Sequence, residues 1–238
     1  MYKEKRILAL IPARGGSKGI KDKNIIDLCG KPLISYTIEA AKSSKYIDEI
    51  IVSTDSDRIA EISREYGADV PFKRPESLAG DASTTLDVVM HAIGFFREKE
   101  SALDTLVLLQ PTQPLRTSED IDMAIEKHFL HEEKSLVSVC EVDDNPILIR
   151  TLEKDDLLIP LINMGSTCRR QDMPVYYRVN GCIYINKVCE INETTSFNDN
   201  ELAYVMPQER SIDIDELKDL YLAQYYLNKK AYKEKKNE

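Results

Sequence analysis

Apolar residues in the first half of the chain come in short unbroken runs, each followed by a stretch where they recur every three or four positions. Residues 6–11, RILALI, form the first run, and Pro12 closes it. So short an apolar segment, without polar alternation, reads as a strand buried on both faces. After a loop comes KPLISYTIEAAKSS, with Pro32 near its start and Leu33, Ile34, Ile38 and Ala41 at helical spacing. The pair of signals then recurs: EIIVSTDS predicts a strand, SDRIAEISREYG a helix closed by Gly67, and TTLDVVMHAIGFFRE another helix. TLVLLQ predicts a second buried strand, SEDIDMAIEKHFLHE a helix opened by Ser118, and SLVSVCEV a strand. Alternation at this spacing predicts an α/β fold with a largely parallel sheet and helices on both faces. Ligands of such sheets gather beyond the carboxyl ends of the strands.

From about residue 143 to 178 the alternation breaks into DDNPILIRTLEKDDLLIPLINMGSTCRRQDMPVYYR, which reads as an insertion. Its Ile147, Leu148, Leu157, Leu158, Ile159, Leu161 and Ile162 offer apolar surface that a second subunit could cover. VNGCIYIN then returns as a strand, LAYVMP and RSIDID follow, and DELKDLYLAQYYLNK predicts a final amphipathic helix. The tail from Lys229, KKAYKEKKNE, reads as its frayed, charged end.

Composition narrows the partners. With 238 residues and 42% hydrophobic positions the chain can build a sizeable core, and one domain is the default. A net charge of -9 argues against a nucleic acid or an anionic membrane, which reward spread basic surface, and leaves small anions open. Five cysteines without CxxC spacing, an odd number, suggest reduced cytosolic thiols, with no disulfide and no structural zinc expected. The first apolar run stops at Pro12 and Arg14, too short for a signal or membrane segment, so a cytoplasmic location is expected.

The chemistry begins in LALIPARGGSKGIKDKN, residues 8–24, where an apolar strand runs into two glycines flanked by cations. Glycines let backbone amides approach an anion closely, and a strand-to-helix connection aims those amides at it. Phosphate is the first candidate, with Arg14, Lys18 and Lys23 for charge-assisted contacts and Ser17 for a hydroxyl; a solvent-exposed turn is the competing reading. The loop is neither GxxxxGK[ST] nor GxGxxG, so the ATPase and dinucleotide readings lose their support. Asp213 and Asp215 lie two apart at the end of a predicted strand, so their side chains share a face and can hold one hard cation. The alternative is that Asp215 caps the last helix. Gln110 follows the strand TLVLL at a carboxyl strand end, where sites form. His91, His128 and His131 lack a metal-like partner cluster and read as surface or core, and the cysteines read as small hydrophobes.

IPARGGSKGI followed by KN resembles the signature of the acylneuraminate cytidylyltransferases, the CMP-sialic acid synthetases. RPESLAGDASTT (74–85), LLQPTQPLR (108–116), RRQDMP (169–174), NGCIYI (180–185) and SIDID (211–215) fall in that family's order, so the resemblance covers nearly the whole chain. The related Kdo cytidylyltransferases lack GGSKG and are a poorer match. The resemblance implies a three-layer α/β/α Rossmann-like nucleotidyltransferase domain over residues 1–238, mostly parallel, with a dimerisation insertion at about 143–178. It implies that CTP is joined to a 2-keto-3-deoxy nine-carbon sugar acid with release of pyrophosphate, by a homodimer using Mg2+.

By the same resemblance Arg14, Gly16, Ser17, Lys18 and Asn24 bind the nucleotide, and Lys23 stabilises charge at the α-phosphate. Arg74, Ser83 and Thr85 fall near base and ribose, although Arg74 alone would read as a surface cation. Gln110 meets the sugar acid, Arg170 reaches the sugar acid or a phosphate, in its own site or in the partner's if the insertion carries it there, and Asp213 and Asp215 form the metal pair. Arg178 and Asn180 read as supports and Tyr184 as core. Where sialic acid enzymes often carry a cation after the proline that opens the insertion, this chain has NPILI with Leu148. That leaves sialic, legionaminic and pseudaminic acids open. The rival readings are a non-catalytic nucleotide or sugar sensor and a nucleotidyltransferase for another sugar acid such as Kdo.

Overall fold

The computed structural model describes residues 2–17, 19–164, 167 and 169–237, except for the side chains of Arg170 and of residues 230–237. Its centre is a six-stranded sheet of β1 (Ile7–Pro12), β2 (Glu49–Ser53), β3 (Thr105–Leu108), β4 (Leu136–Glu141), β5 (Tyr177–Lys187) and β6 (Leu202–Val205). The strand order is β6-β4-β5-β3-β1-β2. All run parallel except β5, which is antiparallel to both neighbours.

The helices are α1 (Leu33–Lys42), α2 (Asp57–Tyr66), α3 (Thr85–Glu98), α4 (Ser118–Leu130) and α5 (Leu217–Asn237). Strand alternation sorts them into layers. Ile7, Ala9 and Ile11 of β1 pack with Ile34 and Ile38 of α1, Ile59 of α2 and Ile121 and Ile125 of α4. Leu8 and Leu10 point the other way, onto Val89, Ala92, Ile93 and Phe96 of α3. The three-layer, mostly parallel arrangement expected from the sequence is what the chain adopts.

Local signals explain most boundaries. Ser56 accepts from the Ile59 amide to open α2, and Gly67, at φ 98°, closes it in the left-handed region that glycine tolerates. Thr84 with Asp87 and Thr117 with Asp120 form reciprocal capping boxes on α3 and α4. The cap of α4 is therefore Thr117 rather than Ser118, because the threonine hydroxyl reaches the Asp120 amide three residues on.

Three expectations are corrected. RSIDID forms no strand: beyond β6 the chain turns at Pro207, and Ile214 buries its side chain beside Leu220 and Ala223 of α5 instead of joining the sheet. The 143–178 segment does depart from the alternation, holding a two-stranded hairpin of Arg150–Leu152 with Leu158–Pro160. Its Ile147, however, is fully buried, while Leu148, Leu157, Leu158, Ile159 and Leu161 lie exposed. Of the cysteines, Cys140 and Cys182 are buried as small hydrophobes, but Cys29 and Cys189 are exposed; Cys168 lies outside the described residues.

β5 carries a bulge against β4, with the register shifting between Val137 and Val139. Gly181 sits in it at φ 76°, and Ser138 fills the gap by donating to Asn180 Oδ1 while accepting from the Ile183 amide. The bulge places the Gly181 backbone under the loop that follows β3. A virtual side chain there would meet Gln110 Oε1 at 3.2 Å and Gln113 Nε2 at 3.4 Å.

Asp120 ties these pieces together. Besides capping α4 it accepts from Arg210 Nε and Nη2, each at 2.9 Å, and from the Tyr204 hydroxyl at 3.2 Å. Asp120→Ala deletes the cap, leaves the Arg210 guanidinium without its carboxylate and leaves the Tyr204 hydroxyl only its contact with Met123 Sδ, so it is expected to cost about 2 kcal/mol, or roughly 4–8 °C in Tm for a chain of this size. A thermal melt by circular dichroism measures this; a drop under 1 °C would contradict the role.

Candidate active site

The chain leaves β1 for β2 on one side of it and later returns to β3 on the other, so a crevice opens between the loops after β1 and β3. It holds a cleft of about 310 Å³, walled by Arg14, Gly16, Ser17, Lys23 and Asn24 from the first loop and Gln110, Pro111 and Thr112 from the second. Arg74, Leu78, Gly80, Asp81, Ser83, Thr84 and Thr85 close its third side. The structure thus gathers nine residues singled out in the sequence: Arg14, Gly16, Ser17, Lys23, Asn24, Arg74, Ser83, Thr85 and Gln110. Lys18 lies outside the described residues, as does the side chain of Arg170, whose backbone belongs to the short turn Arg170–Asp172.

The glycines divide the labour of the loop. The Gly15 amide donates to Asp55 Oδ1 at 2.8 Å, which pins the loop but commits that amide away from any ligand. Gly16 faces open space, with nothing within 4 Å of a virtual Cβ. Gly19 is a close-approach residue, since its virtual Cβ lies 2.5 Å from the Asp215 carbonyl oxygen. Gly15 and Gly16 do not sit at positive φ, so room for backbone, not left-handed geometry, is what these two supply.

The cations of the cleft are held by specific partners. Arg14 Nη1 lies 3.1 Å from Asp81 Oδ1 across the cleft. Lys23 Nζ lies 2.9 Å from Asp215 Oδ1, the ammonium well covered and the carboxylate open to solvent. Arg74 is not the solvated surface cation that it would be taken for in isolation. It is 5% exposed and donates from Nε to Ser53 Oγ at 3.1 Å and from Nη2 to the Ser53 carbonyl. Burial lowers its pKa to about 10, which leaves it protonated at neutral pH. Asn24 donates to the Arg14 carbonyl at 2.9 Å, leaving its Oδ1 buried with no partner among the described residues. Such an acceptor suits a donor arriving with a ligand. Ser83 donates to the Ser77 carbonyl at 2.9 Å, and Thr85 opens α3, whose amino end faces the cleft.

SIDID borders the cleft without lining it. Because the segment is no strand, its two carboxylates do not share a strand face: Asp213 is half-buried and Asp215 exposed. They remain electrostatic neighbours. Burial foremost, and then the charge of Asp215, pushes the Asp213 carboxyl up, against a hydrogen bond with Thr112 and the pull of Lys23. Asp213 Oδ1 has no partner among the described residues. The capping alternative for Asp215 fails, because its carboxylate goes to Lys23 while Asp219 Oδ2 receives the Asp215 and Glu216 amides.

Behind the cleft lies a polar support that sequence reading missed. Arg116 is 3% exposed and donates to the Cys182 carbonyl at 2.7 Å, to Thr37 Oγ1 at 2.7 Å and to the Gln110 carbonyl at 3.4 Å. Gln113 donates to the Asn180 carbonyl at 2.6 Å, and Asn180 to Ser211 Oγ at 2.8 Å. Gln110 is therefore held from beneath through its backbone. The signal was present in QPTQPLR, where an apolar strand leads straight into four polar residues, of which Gln113 and Arg116 are buried. Asp55, two positions beyond the end of β2, was legible by the same strand-end logic that singled out Gln110. Tyr184 is core, as expected, and its hydroxyl donates to Asn198 Oδ1. A larger cavity of about 850 Å³ lies between α1, the start of α4 and α5. Its Lys31, Arg210 and Lys229 are already paired with Glu39, Asp120 and Glu209.

Comparison with known proteins bears on this cleft. Residues 8–234 match the family described as Cytidylyltransferase. The chain is similar to the N-acylneuraminate cytidylyltransferase of Streptococcus agalactiae serotype V, with 37% identity over 97% of this chain and 55% of that protein. It thus spans about half the length of these relatives. It is 39% identical to the CMP-N,N'-diacetyllegionaminic acid synthase of Legionella pneumophila over 88% of this chain and 91% of that one. To the pseudaminic acid cytidylyltransferase of Campylobacter jejuni it is 33% identical over 91% and 94%. Among solved structures, CMP:2-keto-3-deoxy-manno-octonic acid synthetase with CTP superposes at TM-score 0.68 and 16% identity, covering 95% of this chain and all of that one. That likeness supports the fold.

The two glycine environments make a direct test of the loop geometry. Gly16→Ala meets no atom and is expected to leave Tm within about 1 °C, whereas Gly19→Ala must push the loop off the Asp215 carbonyl and is expected to cost about 1–3 kcal/mol. Melting both variants side by side checks the contrast, and equal stability would refute it.

Proposed function

The chain belongs to the cytidylyltransferase family, and from that premise we propose that it activates a nonulosonic, sialic-type sugar acid with CTP, giving the CMP-sugar and pyrophosphate. The observation that carries this is the convergence of the glycine loop, three cations, an Asn24 acceptor with no partner among the described residues, and Gln110 on one cleft at the strand switch. Relatives that name sialic, legionaminic and pseudaminic acids support the substrate class.

In the reaction the anomeric hydroxyl attacks the α-phosphorus in line. A new oxygen–phosphorus bond forms, the bond to the β-phosphate oxygen breaks with its electron pair leaving on pyrophosphate, and the hydroxyl proton is given up. Such transfers need positioning and charge neutralisation more than covalent help from the protein. Arg14 and the Gly16 and Ser17 amides hold the phosphate tail, and Lys23 meets the charge developing at the α-phosphate. Asn24, Arg74, Ser83 and Thr85 hold ribose and base. Gln110, fixed through Arg116, orients the sugar acid, and Arg170 pairs with its carboxylate in two bonds.

Mg2+ suits the donor set. Asp213 carries a buried oxygen without a partner among the described residues, Asp215 is its near neighbour, and magnesium takes one or two carboxylates with substrate phosphates completing its shell. Asp213 and Asp215 would hold it, and it would supply charge neutralisation at the phosphates. By the same reading Asp213 helps to deprotonate the attacking hydroxyl.

A homodimer is part of the same proposal. The apolar residues Leu148, Leu157, Leu158, Ile159 and Leu161 stand exposed on one segment, an arrangement that a self-complementary contact would cover.

The deciding experiment is a panel of nonulosonic acids with CTP and Mg2+, read by mass spectrometry of the products. A CMP-sugar with at least one acid is expected, and CTP binding without product from any would favour a sensor. Asp215→Asn is expected to lower kcat on the order of 100-fold with Tm unchanged. An unchanged rate at saturating Mg2+ would remove the residue from the reaction. Light scattering at micromolar concentration should give twice the chain mass, and Leu158→Glu with Leu161→Glu should give the monomer.

A further inference from the structure

Lys23 faces two ways. It walls the cleft proposed to receive the phosphates, yet its ammonium lies 2.9 Å from Asp215 Oδ1. The pairing is built into the backbone. Asp22, at φ 52° before the turn Lys23–Ile25, aims the lysine, Gly19 lets the loop close to 2.5 Å of virtual Cβ contact with the Asp215 carbonyl, and Asp219 fixes the Asp215 amide. Lys23 also acts favourably on Asp213, so one ammonium serves both carboxylates, and no other cation pairs with either among the described residues. A divalent ion brought to Asp215 while Lys23 is in place would meet a like charge within a few ångströms. A phosphate entering the cleft offers Lys23 another anion.

Resting on the function just proposed, we propose that Lys23 is an exchangeable counter-ion: it occupies Asp215 until nucleotide phosphate draws it away, so the divalent ion gains full access to the carboxylate pair only as the nucleotide arrives. Nucleotide and metal binding are then coupled through one side chain, and each strengthens the other by the same factor. The contact is solvent-exposed on the carboxylate side, so the lock is light. Releasing it should change metal affinity by about fivefold.

The test reads metal binding alone, by the free Mn2+ signal in electron paramagnetic resonance, without nucleotide. Lys23→Gln is expected to bind Mn2+ about fivefold more tightly than the parent chain, and Lys23→Arg, which keeps the cation, is expected to stay as weak as the parent. In an Asp215→Asn background Lys23→Gln should bring no gain, because the pair it would release is already gone. No gain in the first comparison, or an equal gain in the Asp215→Asn background, overturns the proposal, the latter by showing only long-range charge. The Mn2+ pattern without CMP-sugar formation would keep this coupling and reject the assigned reaction; the reverse result would reject the coupling alone.

Discussion

The close contact between Gly19 and the Asp215 carbonyl is the constraint on which the site depends. It brings the first loop of the chain against a segment almost two hundred residues later, and it puts Lys23 within hydrogen-bond reach of a carboxylate. Any side chain at position 19 would hold the two apart. Cations for a phosphate tail and carboxylates for a hard metal ion become neighbours only because that position has no side chain.

A second constraint lies beneath the cleft. Here one buried guanidinium, Arg116, meets the Gln110 carbonyl beyond β3, the Cys182 carbonyl within β5 and the Thr37 hydroxyl on α1, tying the sheet to the helix packed on it. The Gly181 bulge makes room for the glutamine side chains above it. Rigid support of this kind holds a group such as Gln110 in place without the group having to make the contacts itself.

Among the described residues, the cations of the cleft face acidic side chains. Arg14 is met by Asp81, Lys23 by Asp215, and the buried Arg74 has Asp55 as its nearest favourable charge. A ligand carrying several negative charges competes for cations that already have partners, and this favours ligands whose charges are placed to replace those partners together.

The sequence by itself determined the layers and the identity of most of the cleft. Runs such as ILALI and TLVLL are too short and too uniformly apolar for anything but buried strands, and the glycine-rich connection after the first could only lie at a strand end. Nine of the residues singled out this way, partly through likeness to a family, do meet at one cleft. What the tertiary structure alone decided were relations between distant segments. SIDID alternates as a strand does, yet the pull of Ile214 into the α5 cluster outweighed its pattern, so Asp213 and Asp215 came to differ in burial. Arg74 reads as a surface cation until the end of β2 encloses it, and Gly15 reads as an anion-binding amide until Asp55 takes it. Periodicity records which face of an element is apolar; which partner a polar group finds depends on what other parts of the chain place beside it, and no local pattern carries that.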